Sequence, residues 1–291
     1  MAQYSIKEVE NLSGVKAHTL RIWEQRYDIL KPHRTDTNIR YYTDEQLRLL
    51  LNIGTLNRNG LKISKIAELS EAELNQAVAQ LHETTGQPDH LIDALIQSMI
   101  HFDEKRFEKT IASAILKMGF EEAFDKLIFP FMNRTGVLWA TGAINVAQEH
   151  FISHLIRRKI KVAIDAQLVD TSVKSKKFVL FLPEGETHEL LLLFTEYILR
   201  AHHHQVLYLG SSLPINDLKE ITRAFQPDYL LTYLTVPMAD ISVPSFLQKL
   251  SADYPALQII VGGAQATLAK EALPANCHLV NCEEQLLAAI G

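Results

Sequence analysis

The apolar positions change rhythm twice along the chain. Through residue 70 they form short amphipathic pieces, interrupted by Gly14, Pro32, the polar run from Arg34 to Asn38, and Gly60. From 71 to about 168 they recur at helical spacing, as in Leu91, Ala94, Leu95 and Met99, and again in Ile111, Ala114, Ile115 and Met118. That pattern predicts a bundle of four or five helices, broken at Gly86-Gln-Pro88, Gly119, Pro130 and Thr141-Gly142. From 176 onward, compact apolar runs alternate with helical stretches. Strands are predicted at 177–182, 205–209, 229–234, 258–262 and 278–281, with helices near 188–202, 214–225, 243–253, 264–272 and 283–290. Nearly continuous apolar strands separated by helices mean a parallel sheet covered on both faces, a Rossmann-like (flavodoxin-like) doubly wound fold. The polar stretch Lys174-Ser-Lys-Lys177 is the linker before it.

The first stretch has a finer signature. Ser5 precedes Ile6-Lys-Glu8 at capping-box spacing, which starts one helix. Ser13-Gly14-Val15 makes a tight turn, and 16–26 forms a second helix with Leu20 and Trp23 facing inward. Helix, glycine-containing turn, helix is the helix-turn-helix pattern, whose second helix enters a major groove. Lys16, His18, Thr19 and Arg21 lie on its outer side. A β-hairpin wing fits between Leu30 and Tyr42, before a helix opening at Thr43-Asp-Glu-Gln46. Arg34, Arg40 and Tyr41 sit where a wing meets phosphate or minor groove, and Tyr27 can offer its hydroxyl to a phosphate. The expected architecture is therefore multidomain, α and α/β: a winged helix-turn-helix at 1–70, a four-helix bundle at 71–170 and a doubly wound sheet at 176–291.

Composition agrees with that division. The 291 residues are 47% apolar and 22% charged, which excludes a disordered, collagenous or low-complexity chain. The net charge of -5 divides into +3 over residues 1–70 and -8 over the remainder, so a mildly basic head sits on an acidic body. Cys277 and Cys282 cannot staple a fold of this size and lack a second pair for zinc, which suits a reducing cytoplasm. The N-terminus is too polar for a signal peptide, and no apolar run is long enough to span a membrane, so no membrane partner is expected.

One constellation in the body carries chemistry. Pro183-Glu-Gly-Glu-Thr-His188 follows the first sheet strand, and ligands of parallel sheets bind beyond the C-terminal strand ends. His188 can offer one ring nitrogen to a metal while Glu186, two residues earlier, holds the other and fixes the tautomer. His150 and His154 share a helix face but lack a third ligand for zinc, and His202-His-His204 reads as the polar end of a helix.

The segments Tyr4-Ser-Ile-Lys-Glu-Val, Ser13-Gly-Val, Thr19-Leu-Arg-Ile-Trp-Glu, Leu30-Lys-Pro and Arg40-Tyr-Tyr together resemble the DNA-binding domain of MerR-family transcription regulators, over residues 4 to about 69. The resemblance implies double-stranded operator DNA as partner and a homo-oligomer, dimer or tetramer, on a roughly palindromic site. Residues 176–291 resemble the cobalamin-binding domain with its motifs Asp-x-His-x-x-Gly, Ser-x-Leu and Gly-Gly. Glu186 and His188, Thr232 and Leu234, and Gly262 and Gly263 stand at the matching positions. There the histidine, here His188, is the lower ligand of cobalt, and small residues let the cofactor's nucleotide tail lie close to backbone. Trp139, followed after nine residues by Glu149 and His150, is similar to the Trp-x9-Glu-His motif that covers the upper face of adenosylcobalamin in the CarH/LitR light-dependent regulators. Those proteins join the same three parts in this order.

Three positions depart from the pattern: Glu186 replaces Asp, Leu191 replaces Gly, and Ala140 stands where a light-sensing relative is expected to carry a cobalt-ligating His. The resemblance implies a non-enzymatic regulator whose assembly or operator affinity is set by cobalamin, the adenosyl form by analogy, with a light response in question at Ala140. The alternative is a cobalamin-independent regulator whose body serves oligomerisation or antirepressor binding, which Leu191 favours. A cobalamin-dependent methyltransferase module is the third reading, and the winged head and the length argue against it.

Overall fold

A computed structural model describes residues 3–34, 38–58, 60–74, 76–77, 88–140, 143–167, 175–238 and 241–290. The chain divides into two compact units, Met1–Leu155 and Ile156–Gly291.

The first unit opens with β1 (Gln3–Ser5), α1 (Ile6–Ser13) and α2 (Ala17–Tyr27). Ser5 and Glu8 form the expected reciprocal capping box, and Gly14 ends α1 in the left-handed region at φ 73°. Leu20 and Trp23 are buried, as the spacing predicts. The wing is larger than a hairpin. β2 (His33–Arg34) and β3 (Arg40–Thr43) pair antiparallel, and β1 joins on the other side of β3. The order β1-β3-β2 makes a three-stranded sheet from a segment too short to show a strand periodicity. Helix α3 (Asp44–Arg58) starts at a second reciprocal cap, Thr43 with Gln46, and α4 is Ile63–Ile66.

The bundle consists of α5 (Pro88–Ile100), α6 (Glu104–Met118), α7 (Phe120–Ala123), a π turn (Phe124–Ile128), α8 (Phe129–Ala140) and α9 (Val146–Asp165). Gly119 separates α6 from α7 as expected. The expected break at Pro130 does not occur. The π turn directly before α8 rearranges the hydrogen-bond ladder there, so Pro130 sits inside a continuous run of helix. The break expected at Thr141-Gly142 lies outside the described residues, as does most of that at Gly86-Gln-Pro88.

One buried carboxylate ties head to bundle. Asp93 of α5 accepts from Thr55 and Arg58 of α3 and from Arg134 of α8, the last at 2.9 Å. Both arginines also donate to the end of α1: Arg58 Nη1 to the Ser13 carbonyl at 2.8 Å and Arg134 Nη2 to the Leu12 carbonyl at 3.2 Å. Gln97 donates to Asn52 in the same interface at 2.9 Å.

The second unit contains a five-stranded parallel sheet, β5-β4-β6-β7-β8. Its strands are β4 (Lys177–Pro183), β5 (Gln205–Leu213), β6 (Tyr229–Tyr233), β7 (Gln258–Gly262) and β8 (Cys277–Leu279). This is the 2-1-3-4-5 order of doubly wound sheets. α10 (Leu190–Ala201), α11 (Leu218–Phe225), α12 (Val243–Asp253), α13 (Ala264–Leu268) and α14 (Glu283–Ile290) connect or follow them. Two expected strands move: β5 runs four residues further, to Leu213, and β8 lies at 277–279 rather than 278–281.

Strand alternation divides the core into two faces. Val179, Phe181, Leu230, Leu234, Ile259 and Val261 pack with Phe246, Leu247 and Leu250 of α12. Phe178, Leu180, Leu231, Tyr233 and Ile260 pack with Leu192, Ile198 and Leu199 of α10 and with Leu286 and Ile290 of α14. β4, β6 and β7 end along one edge of the sheet, and the loop after β4 leads from there into α10.

Candidate functional site

On the head, burial of Leu20 and Trp23 turns the opposite side of α2 outward. Lys16, His18 and Arg21 are exposed, Thr19 half-buried. Lys16 is held by Glu10 at 3.1 Å, and the Thr19 hydroxyl lies 3.3 Å from His18 Nε2. In the wing, exposed Arg34 donates to the Asn38 side chain at 2.6 Å, and Tyr41 stacks on His33. Arg40 differs from its expected place. It is only partly exposed and leans on Glu24 of α2 at 3.8 Å, while the buried Tyr42 hydroxyl donates to the same carboxylate. Burial, then Glu24, pushes the Tyr42 phenol well above its usual range, so it stays a donor. Arg40 thus braces the wing against α2 as much as it faces outward. Tyr27 is half-buried, with the Arg26 guanidinium over its ring.

In the bundle, Trp139 is 47% exposed near the end of α8. It does not plug the core. Glu149 and His150 stand in the first turns of α9, across the intervening loop. The Glu149 carboxylate accepts from Ser153 and lies 3.7 Å from His150 Nε2. A flat apolar surface and a polar pair thus flank one loop. Among the described residues no group of three or more His, Cys, Asp or Glu is placed to hold a metal ion.

In the sheet unit, the Glu186–His188 pair forms as the two-residue spacing predicts. His188 Nδ1 lies 2.6 Å from Glu186 Oε1, so metal ligation by this ring would run through Nε2. Glu186 itself is 3% exposed. Its Oε1 also accepts from the Thr187 and His188 backbones, and its Oε2 from the Thr235 and Val236 backbones at 2.7 and 3.0 Å. Burial, the largest single influence, pushes this carboxyl up, but the bonds from His188, Val236 and Thr235 together outweigh it and hold its pKa at about 2. It is ionised at neutral pH and clamps the loop after β4 to the loop after β6.

The neighbouring slot is built differently. Tyr233 ends β6 opposite Gly262, which ends β7. A Cβ on Gly262 would stand 2.4 and 2.7 Å from Tyr233 ring carbons, so the tyrosine ring fills the space this glycine leaves open. Gly263, at φ 94°, lets the Leu234 backbone approach in the same way. The Thr195 hydroxyl of α10 donates to the Leu191 carbonyl at 2.9 Å and accepts from the Tyr233 hydroxyl at 2.8 Å. Leu191 packs on the same apolar cluster as Tyr233. Thr232 alternates to the other face. It is fully buried, and its hydroxyl meets no hydrogen-bond partner among the described residues.

A corrinoid is therefore matched in part. The dyad could hold a metal through His188 Nε2, with Glu186 reaching the ring despite its extra methylene. The space over Gly262 and near the first turn of α10 is taken by the chain's own side chains. Tyr233 was passed over in the sequence because it is the variable position of Ser-x-Leu. A bulky ring next to a Gly-Gly pair was the signal available.

Residues 4–73 match the family of MerR HTH regulatory proteins, and residues 91–164 match the B12 binding domain. The two matches stand in the order expected from the sequence, a MerR-like head before a B12-domain-like bundle. The chain is 26% identical over 270 residues to the HTH-type transcriptional repressor CarH of Myxococcus xanthus, an alignment covering 90% of this chain and 89% of that one. It is 23% identical to the repressor CarA of the same organism, over 90% and 86% of the two chains. Among solved structures it is similar to the monomethylamine corrinoid protein of Methanosarcina barkeri, with a TM-score of 0.55 at 15% identity, over 69% of this chain and 96% of that one. That likeness concerns the fold. Among the described residues no helix is long and apolar enough to cross a membrane.

Proposed function

We propose that this protein is a transcription regulator of the repressor kind, which binds operator DNA through its winged head as a symmetric oligomer. The exposed polar face of α2, set opposite buried Leu20 and Trp23, carries this reading. Lys16, His18, Thr19 and Arg21 meet base edges in the major groove, while Tyr27, Arg34, Arg40 and Tyr41 contact backbone. The boundaries 1–70, 71–170 and 176–291 are part of the proposal. The body decides whether heads pair on DNA, and a ligand can do so only by preferring one assembly over another.

The effector supported by the B12-domain match over 91–164, a stretch that includes Trp139, Glu149 and His150, is a corrinoid, and His188 is proposed as its cobalt ligand. His188 would hold the cobalt of such a group through Nε2, with Glu186 fixing the ring. Adenosylcobalamin and a light response are the finer forms of this reading. The second reading, a cobalamin-independent regulator with a body for oligomerisation or antirepressor binding, is favoured by one observation, the Tyr233 ring over Gly262.

The test of the head is a salt-dependent DNA shift with operator fragments. Arg21→Ala is expected to weaken binding by about tenfold and relax sequence preference. Arg34→Ala should weaken all sequences alike and flatten the salt slope. Unchanged affinity in both sinks the placement of the head. The test of the effector is the visible spectrum of protein mixed with cobinamide or adenosylcobalamin in the dark and desalted, compared with His188→Ala.

A further inference from the structure

Resting on the reading of a corrinoid at His188, we propose that Tyr233 and Leu191 form a built-in plug that selects corrinoids by their tail: a corrinoid held on His188 keeps its nucleotide tail outside the sheet unit. Between the ends of β6 and β7 and the first turns of α10 lies the Tyr233 ring, 9% exposed. It is fastened at both ends. The ring lies on Gly262, where even a methyl group would collide, and the hydroxyl donates to Thr195, which in turn donates to the Leu191 carbonyl. Burial raises the Tyr233 phenol above its ordinary range, so it remains a neutral donor in this bond. The Leu191 side chain adds bulk at the second residue of α10.

The two glycines therefore serve the protein's own packing. Admitting a tail would require moving an aromatic ring out of a core shared with Leu180, Leu231 and Ile260, and breaking its bond to Thr195. The dyad itself is untouched by the plug, because Glu186 is held by loop backbone and not by Tyr233. Ligand class is thus divided between two places: cobalt is selected at His188, and tail length is selected against at Tyr233.

The experiment titrates the full-length protein with cobinamide, which has no nucleotide tail, and with adenosylcobalamin in the dark, following visible absorbance. The variants are Tyr233→Ala/Leu191→Gly, Leu191→Gly alone, and Tyr233→Phe, each checked for folding by thermal melting. The plug predicts that the double variant binds adenosylcobalamin at least about tenfold more tightly than wild type, while its affinity for cobinamide stays within about threefold. Tyr233→Phe keeps the ring and should still exclude the tail. Leu191→Gly carries the test by a smaller gain if the double variant does not fold. Wild type that retains neither corrinoid, with adenosylcobalamin retained by the opened variant, supports the plug and overturns the corrinoid effector. Wild type that binds adenosylcobalamin base-off through His188 as tightly as the opened variant overturns the plug and leaves the effector standing. No uptake by any opened variant also overturns it, since the plug would then not be what excludes the tail.

Discussion

Asp93 in the first unit and Glu186 in the second are both buried carboxylates, 2% and 3% exposed, but they are satisfied by opposite means. Asp93 is surrounded by charge: Arg58 and Arg134 pair with it, and Thr55 adds a hydroxyl. Glu186 is surrounded by backbone: four N–H groups and one imidazole point at its two oxygens. The first arrangement joins side chains from α3, α5 and α8, so it fixes helices that are far apart in sequence. The second fixes two loops and aims one ring. A buried charge needs partners in either case, but side-chain partners make a clasp between elements, and backbone partners make a shaped loop that can present a ligand.

The largest effect expected is from Asp93→Ala. It leaves Arg58 and Arg134 facing each other near the end of α1, and should cost about 3–5 kcal/mol in urea denaturation. Because both arginines are partly exposed, high salt should shrink the difference between Asp93→Ala and wild type. The Glu186 effect should follow pH and not salt. Its carboxyl titrates near pH 2 in the folded protein against an ordinary value of 4.5. Its contribution, about 3 kcal/mol, is therefore complete above about pH 4.5 and is lost as pH falls through 2, and Glu186→Gln should flatten that part of the stability–pH curve. Finding the salt response at Glu186 and a flat pH response would break the comparison. Tyr233→Phe removes one buried hydrogen bond while keeping the ring, and should lower stability by about 1 kcal/mol. Ser5→Ala removes half of the α1 capping box, a cost of about 0.5–1 kcal/mol by thermal melting.

The parts that were legible are those whose cause is local. Ser5 with Glu8 and Thr43 with Gln46 act over three residues, so their caps can be read directly. The sheet strands are buried on both faces, which makes them near-continuous apolar runs of about strand length. The Glu186–His188 contact spans two residues. What escaped depends on partners distant in the chain. β1 has three residues and exists only because β3 pairs with it. The Asp93 clasp closes over 35 and 41 residues to its two arginines. Pro130 reads as a break, and only the preceding π turn lets the helix continue through it.

Sequence alone determined the order of the parts, the winged head, the bundle, the five-stranded parallel sheet and the histidine with its carboxylate, because repeating hydrophobic spacing and short-range pairs are properties of the chain itself. Tertiary structure alone decided what each polar or small residue faces. It turned Arg40 back onto Glu24, left Trp139 half in the open, and laid the Tyr233 ring over Gly262. A glycine pair at a strand end announces an open space, but which atoms fill that space depends on the neighbouring strand's register and the helix above it, and these are set only when the chain packs.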